Sequence, residues 1–171
     1  RMGVRAVAIQ ADLSRLPDIR SLFTRLDEAL GGIDILVNSA AVMIPRDFGE
    51  VSEEDWHSTM DINLRAPFFC LQEAARRMRP HGGAVVNIGD IAGMRPWPRF
   101  PVHSISKAGL EMLTQVTARA LAPAIRVNAV APGPVLRPDS VSETHWAAMA
   151  AALPLARSGS PRDVVEAVLF L

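Results

Sequence analysis

Two side chains that can move a proton lie four residues apart in the sequence. They are His103 and Lys107, and a spacing of four puts both on one face of a helix. A carboxyl group, Asp90, precedes His103 by thirteen residues, in the glycine-containing segment 87–93. An imidazole titrates close to neutral pH, and a nearby carboxyl can pass or orient a proton. These residue types and spacings indicate proton transfer to or from a small substrate.

Other chemistries fit these residues less well. A hydrolase triad can be written from Ser104, His103 and Asp90, but adjacent residues on a helix point in different directions and the sequence has no Gly-x-Ser-x-Gly elbow. The other three histidines lack metal-ligand spacing, so no metal site is expected. As a turn residue, Asp90 could instead serve as a cap or a surface charge, and this alternative stays open.

The composition narrows the class of protein. Of 171 residues, 49% are hydrophobic, and 18 basic side chains balance 18 acidic ones, so no basic face for nucleic acid or an anionic membrane is expected. No apolar stretch approaches the roughly 18 residues that span a bilayer, and the N-terminus lacks a signal-peptide layout. The single cysteine, Cys70, cannot form an internal disulfide. We expect one domain over 1–171, a small-molecule ligand and a cytoplasmic location.

The elements that must position these side chains alternate between strand and helix. Apolar runs rich in Val, Ile and Ala predict buried parallel strands, at 5–10, 33–38, 84–88 and 125–130. Apolar residues at helical spacing predict the helices, at 17–30, 53–78, 104–121, a short patch at 146–152 inside the loop 132–157, and a last helix capped by Ser160. Pro67 removes a helical donor, so the second helix is expected to break near 63–67. This alternation predicts an α/β fold with a parallel sheet.

Five segments in this order resemble the short-chain dehydrogenase/reductase family, over essentially the whole chain. They are Asp12-Leu13, Asn38-Ser39-Ala40-Ala41, Asn63, the pair His103 and Lys107, and Pro132-Gly133-Pro134-Val135. The resemblance implies a Rossmann-type, doubly wound parallel sheet with helices on both faces, and an NAD(P)-dependent oxidoreductase that transfers hydride to a C=O or C=N bond. It also implies a homodimer or homotetramer assembled through the helices at 53–78 and 104–121.

The resemblance implies a role for individual residues. Asn63, Asp90, His103 and Lys107 take the catalytic positions, with the main-chain carbonyl of Asn63 holding a water of the proton relay. The expected cofactor contacts are Asp12 and Leu13 at the adenine, Asn38, Ser39 and Ala40 near the ribose, Ile88, Lys107 at the nicotinamide ribose, and Pro132, Gly133 and Val135 beneath the nicotinamide.

Asp90 narrows the resemblance to one branch of the family. Most members place a catalytic Ser there, whereas an Asp is shared by the bacterial pteridine-reductase-like branch, which implies NADPH more than NADH and a pterin or folate substrate. Two residues depart from that pattern. His103 replaces the usual Tyr, in a chain with no Tyr at all, and Met43 stands where relatives carry an aromatic residue. An imidazole is shorter than a phenol and Lys107 disfavours its charged form, so we expect reduced activity.

The family's glycine-rich turn does not occur in this sequence. The first two strands of the family would precede Arg1, so we expect a domain incomplete at both ends, lacking those strands, with a gap between the strands at 5–10 and 33–38. The residues that choose NADP over NAD would lie in the same part. Three interpretations stay open: a reductase, a non-catalytic member that keeps the fold without the Tyr proton donor, and an inactive fragment.

Overall fold

Three parallel strands form the sheet of the computed structural model, which describes residues 3–139 and 141–171. The strands are β1 (Ile35–Asn38), β2 (Gly83–Ile88) and β3 (Ile125–Val130), in the order β1-β2-β3. Ile35 pairs with Ala84 and Gly83 pairs with Ile125, and both ladders are parallel. Val85 and Val86, on opposite faces of the central strand, are both buried, so the predicted α/β fold with a parallel sheet is confirmed.

The described residues contain six α-helices. They are α1 (Leu16–Leu30), α2 (Glu53–Met60), α3 (Ala66–Met78), α4 (Pro101–Leu121), α5 (Glu143–Ala151) and α6 (Pro161–Phe170). Local sequence fixes several ends: α1 stops at Gly31, which has the left-handed φ of 86°. Ser52 and Ser160 each begin a helix with a reciprocal capping box. None of the described helices is both long and apolar enough to cross a bilayer.

The predicted break in the second helix is a π-helical turn. Residues Asp61–Arg65 form this turn between α2 and α3, and Pro67 follows in the first turn of α3. A π-turn widens the helix by one residue and re-aims the side chains within it. Here it turns Asn63 fully into the interior. The break that the sequence predicts near 63–67 is confirmed.

The predicted strand at 5–10 is wrong. Residues 4–10 form no ladder, β1 pairs only with β2 among the described residues, and Val7 is exposed. The reason is that strand composition is local whereas pairing needs a neighbour, and here the backbone carbonyl of Gln10 is bound by the Arg25 side chain at 3.2 Å.

Smaller differences concern helix ends. Helix α4 begins at Pro101 rather than 104, because Pro fits the first helical turn. Helix α5 begins at Glu143 rather than 146, because Ser142 caps it. Arg1, which opens the sequence, lies outside the described residues.

The hydrophobic core lies between the sheet and the helices α1 and α3. Its fully buried members include Ile19, Phe23, Ala74, Met78 and Val85. Helix α4 packs on β3 and on the turn that follows β2. This packing fixes α4 beside the carboxyl end of the sheet, where the candidate site residues lie.

Candidate active site

The carboxyl end of β2 leads directly into the candidate site. Ile88 ends the strand, and Asp90 caps the short 3₁₀ turn Ile91–Gly93 by accepting a hydrogen bond from the Ala92 backbone N–H at 2.7 Å. A Cβ on Gly93 would lie 2.9 Å from the carbonyl carbon of Lys107. Because only glycine allows this close approach, the turn rests directly on α4 and brings Asp90 to the helix.

Asp90 and His103 form a pair. The His103 Nε2 atom lies 3.4 Å from Asp90 Oδ2, and the two side chains are 4% and 24% exposed, respectively. The other ring nitrogen, Nδ1, lies 3.2 Å from the Val42 carbonyl oxygen and 3.3 Å from the Asn63 amide nitrogen Nδ2. Burial alone would raise the pKa of Asp90, but hydrogen bonds from His103 and Ala92 and the charge of Lys107 outweigh it and hold that pKa below its usual value.

Asn63 connects α4 to the loop that follows β1. Its Oδ1 accepts from the Val42 backbone N–H at 2.8 Å, and its Nδ2 donates to the Val42 carbonyl oxygen at 2.8 Å and to Ser106 Oγ at 3.0 Å. The Ser106 hydroxyl in turn donates to the His103 carbonyl oxygen at 2.7 Å. The loop and the helix are therefore locked around the imidazole.

Lys107 is buried with an ammonium that is only partly satisfied. Its Nζ donates to the Ile88 carbonyl oxygen at 2.8 Å, the one hydrogen bond it makes within the described residues. Burial lowers the pKa of Lys107, and the negative charges of Asp90 and Glu111 partly offset this effect. An ammonium has three donors, so two remain for a ligand.

Sequence reasoning missed several residues of this site. Asn38, itself an expected cofactor contact, donates through Nδ2 to Asn87 Oδ1 at 2.9 Å, and Asn87 Nδ2 donates to Thr114 Oγ1 at 2.9 Å. Asn87 and Thr114, which were not predicted, thus extend a partly buried chain from β1 through β2 to α4. Ser106 is fully buried as well. A buried amide in an apolar strand, as at Asn87, was the one available signal, since buried polar groups need partners.

The expected cofactor residues fall into two groups. Leu13, Asn38, Ser39 and Ala40 line one apolar cavity of about 200 Å³, while Pro132, Gly133 and Val135 line another of about 510 Å³. Ile88 and Lys107 line neither cavity and meet each other instead, through the hydrogen bond from Lys107 Nζ to the Ile88 carbonyl oxygen. Asp12 is not in either lining set: its Oδ1 accepts from the Ser14 backbone and hydroxyl at 2.9 and 2.7 Å, so it caps the turn before α1.

His57 and His81 lie on the surface beside Glu53 and Asp34, at 3.6 and 3.4 Å. In the described part of the chain, no three His, Cys, Asp or Glu side chains come together in a way that could hold a metal ion.

Comparison with known proteins identifies the family. Residues 1–171 match the family model described as enoyl-(acyl carrier protein) reductase. A short-chain type dehydrogenase/reductase from Picea abies is 34% identical over 99% of this chain and 65% of its own length. The 3-oxoacyl-(acyl-carrier-protein) reductase FabG of Staphylococcus aureus is 33% identical over 99% of this chain and 70% of its own length.

A solved structure agrees with these relatives. A crystal structure assigned to a short-chain alcohol dehydrogenase from Sinorhizobium meliloti matches with a TM-score of 0.92 and 34% identity, over 99% of this chain and 69% of that one. The chain belongs to the short-chain dehydrogenase/reductase family, whose members are oxidoreductases that use a nicotinamide cofactor. It spans about two thirds of the length of the three proteins named above, from 65% to 70%.

Proposed function

We propose that the complete protein is an NAD(P)-dependent oxidoreductase that moves hydride to or from a C=O or C=N bond of a small molecule. The observation that supports this most is the cluster of Asp90, His103, Lys107 and Asn63 at the carboxyl end of the sheet. In doubly wound α/β proteins, ligands bind at this end. Packing alone does not explain why the pair of Asp90 and His103 lies next to the buried ammonium of Lys107, which has donors left for a ligand.

The residues present fit a nicotinamide cofactor. Lys107 keeps two free donors for ribose hydroxyls, and a Cβ on Gly133 would meet nothing within 4 Å, so the Pro132-Gly133 turn is open toward its cavity. The Leu13-lined cavity offers an apolar surface of the kind an adenine ring needs. When bound, the cofactor supplies or accepts the hydride. We further propose NADPH over NADH and a cytoplasmic location.

The residues of this chain would handle the proton. Hydride addition to a C=O or C=N bond leaves charge on the heteroatom, which a nearby acid must neutralise. Asp90 and His103, 3.4 Å apart at the carboxyl end of β2, would form the proton-transfer pair, and Lys107 would supply a positive charge that favours developing negative charge. Asn63 holds the loop and helix in register around them.

A second candidate substrate class is a pterin or folate, favoured by Asp90 itself. A carboxylate whose second oxygen faces the imidazole can accept hydrogen bonds from a pterin amino group or ring N–H. The carbonyl class takes precedence because the relatives above are described as acting on a 3-oxoacyl group or an alcohol.

The deciding experiment uses the full-length protein with NADPH or NADH. Oxidation of the cofactor is followed with simple ketones, 3-oxoacyl thioesters and a dihydropterin, and cofactor binding is measured in parallel by calorimetry. Turnover with a carbonyl compound supports the first class and turnover with the pterin the second. Cofactor binding without turnover on any of them contradicts the proposal and favours a non-catalytic member, while the absence of binding favours an inactive protein.

Replacing His103 by Tyr tests the alignment on which the assignment depends. The change restores the phenol of the family motif beside Lys107, so we expect kcat to rise in His103→Tyr. The matched control is His57→Tyr, on the surface of α2, which should leave kcat unchanged. If kcat in His103→Tyr does not rise, His103 does not stand at the family's tyrosine position in the working site.

We also propose that the protein is a homodimer or homotetramer assembled through α2, α3 and α4. Phe68 on α3 and Met112 and Val116 on α4 are exposed apolar side chains, and exposed apolar patches of this kind mark interaction surfaces. Light scattering of the full-length protein should give two or four chains, and Val116→Glu should lower that number.

A further inference from the structure

The π-helical turn Asp61–Arg65 contacts both ends of the proposed cofactor site. Asn63, in the middle of the turn, points into the interior and binds the loop after β1 and helix α4. Ile62 lines the apolar cavity of about 200 Å³. Arg65, the last residue of the turn, binds the backbone of Ser14. Five consecutive residues therefore connect the candidate catalytic cluster with the turn that we expect to meet the adenine.

The guanidinium group of Arg65 is held by three groups. Its Nη1 atom donates to the Ser14 carbonyl oxygen at 2.8 Å and lies 3.7 Å from the Asp61 carboxylate. Its central carbon lies 5.8 Å from the centre of the Phe69 ring. Asp61 and Phe69 lie four residues before and four residues after Arg65, on the neighbouring helical turns. Because a guanidinium is planar with donors in fixed directions, these two local contacts limit the directions in which Arg65 can donate.

Ser14 belongs to the turn that carries Asp12 and Leu13. Asp12 Oδ1 accepts from the Ser14 backbone N–H at 2.9 Å and from the Ser14 hydroxyl at 2.7 Å. The Arg15 N–H donates to the Asp12 carbonyl oxygen at 3.1 Å. These bonds make residues 12–15 one hydrogen-bonded unit, so the bond from Arg65 fixes the position of the whole turn.

Few contacts hold this turn to the rest of the molecule. Residues 4–10, which precede it, pair with no strand in the described part of the chain. Among the described residues, the bond from Arg65 is the one hydrogen bond that joins residues 10–15 to any part of the chain beyond α1. Leu13 adds apolar packing against the core. Without Arg65, the turn would keep its own hydrogen bonds but could shift relative to the π-turn.

We propose that Arg65 is a positioning residue that sets the adenine end of the cofactor site by fixing the turn 12–15 against the π-turn. This inference rests on the proposed oxidoreductase function. Leu13 on the turn and Ile62 on the π-turn line the same cavity, so the width of that cavity depends on the bond that joins the two segments. The reacting end is held by a different residue, Asn63. Arg65 therefore acts on cofactor affinity and not on the chemical step.

The experiment compares Arg65→Met and Arg65→Lys in the full-length protein. Methionine keeps an unbranched side chain without donors, whereas lysine keeps the charge without the planar fork. In Arg65→Met, binding must order the turn that the bond orders in wild type. We expect the dissociation constant of NADPH, measured by calorimetry, to rise about 3- to 10-fold, the equivalent of one hydrogen bond, and to rise less in Arg65→Lys. KM for the cofactor should rise by the same factor, with kcat unchanged.

The matched control is Arg162→Met, on helix α6. Arg162 also has an acidic partner four residues away, Glu166 at 2.8 Å, but its side chain makes no hydrogen bond to a distant element within the described structure. Its replacement removes the same charge and should leave the affinity for NADPH unchanged. The Arg65 side chain is 44% exposed, so its replacement leaves no buried cavity and we expect the variants to stay folded. Equal losses of affinity in Arg65→Met and Arg162→Met would contradict the inference.

A probe without the nicotinamide tests the adenine end alone. ADP-ribose and its 2′-phosphate carry that end, so Arg65→Met should weaken the binding of whichever one wild type prefers by the same factor as NADPH. A merely structural role of Arg65 would lower the urea midpoint and leave these dissociation constants unchanged. That result, or a fall in kcat at unchanged affinity, would overturn the inference and leave the oxidoreductase function intact. A wild-type protein that binds no nicotinamide cofactor would overturn both.

Discussion

Removing the Asn63 side chain should destabilise the protein more than any nearby polar truncation. The amide makes three hydrogen bonds of 2.8, 2.8 and 3.0 Å from a fully buried position. In Asn63→Ala, the Val42 carbonyl oxygen loses the amide donor but still lies 3.2 Å from His103 Nδ1, and the Ser106 hydroxyl keeps its acceptor. The Val42 N–H is left without a partner in the described structure. The unpartnered N–H donor and the lost hydrogen bonds together should lower the free energy of unfolding by about 2–4 kcal/mol.

Urea unfolding measures this loss. With a slope of about 2 kcal/mol per molar urea, the midpoint should fall by about 1–2 M. The matched control is Gln115→Ala, the same kind of amide truncation at an exposed site of α4 with no side-chain hydrogen bond within the described residues. Its effect should stay within about 0.5 kcal/mol. Equal losses in the two variants would refute the reasoning that Asn63 locks the loop to the helix.

For the variant Asn63→Asp, the same reasoning predicts the direction in which the loss of stability changes with pH. A carboxylate could still accept from the Val42 N–H but would face the Val42 carbonyl oxygen without a hydrogen to donate. Protonation restores that donor, so the pKa of the introduced carboxyl should be raised in the folded state. Its deficit relative to wild type should therefore shrink as the pH falls from 7 toward about 4. A deficit independent of pH would show that donation to Val42 is unimportant.

Two further predictions concern the turn that carries Asp90. Gly93→Ala places a Cβ 2.9–3.0 Å from backbone atoms of α4, which cannot rotate away, so we expect a loss of about 1–3 kcal/mol in the free energy of unfolding. Gly133→Ala, where a Cβ meets nothing within 4 Å, should change it by less than about 0.5 kcal/mol; equal effects would contradict the packing argument. The lowered pKa of Asp90 means that its stabilising contribution is present above its unfolded pKa of about 3.9 and is lost as the pH falls through its lower folded pKa. The stability difference between wild type and Asp90→Asn, measured by chemical unfolding, should therefore be constant above about pH 5 and shrink below pH 4, and an unchanged difference there would count against it.

The sheet and helices follow from sequence wherever the determining interactions are local. The run at 125–130 has the bounds of β3, and the spacing of Pro67 after Asn63 predicted the helix interruption. The run at 5–10 has equally good strand composition but forms no strand. Composition indicates only that a segment is suited to a β-strand. The strand forms only where another strand is available to pair with it.

The candidate site likewise contains residues that the sequence predicts and residues that it does not. The shared helix face of His103 and Lys107 follows from a spacing of four, and the position of Asp90 was implied by the resemblance. The role of Val42 could not be predicted, because its contribution comes from backbone atoms that no side-chain pattern reveals. Ser106 likewise reads as an ordinary helical polar residue until Asn63 is placed beside it.

The surroundings of His103 bear on the proposal that it stands at the family's tyrosine position and takes part in the reaction. A phenol has one hydroxyl, whereas the imidazole has two ring nitrogens: Nε2 faces the Asp90 carboxylate, and Nδ1 lies between the Val42 carbonyl oxygen and the Asn63 amide nitrogen. A serine in place of Asp90 would offer Nε2 no charge to pair with. His103 and Asp90 are therefore matched to one another, and an apolar residue at 103 would leave Asp90 Oδ2 without its hydrogen-bond partner. A site that had lost its function would not need both His103 and Asp90. The pair therefore supports the proposed proton transfer at this position.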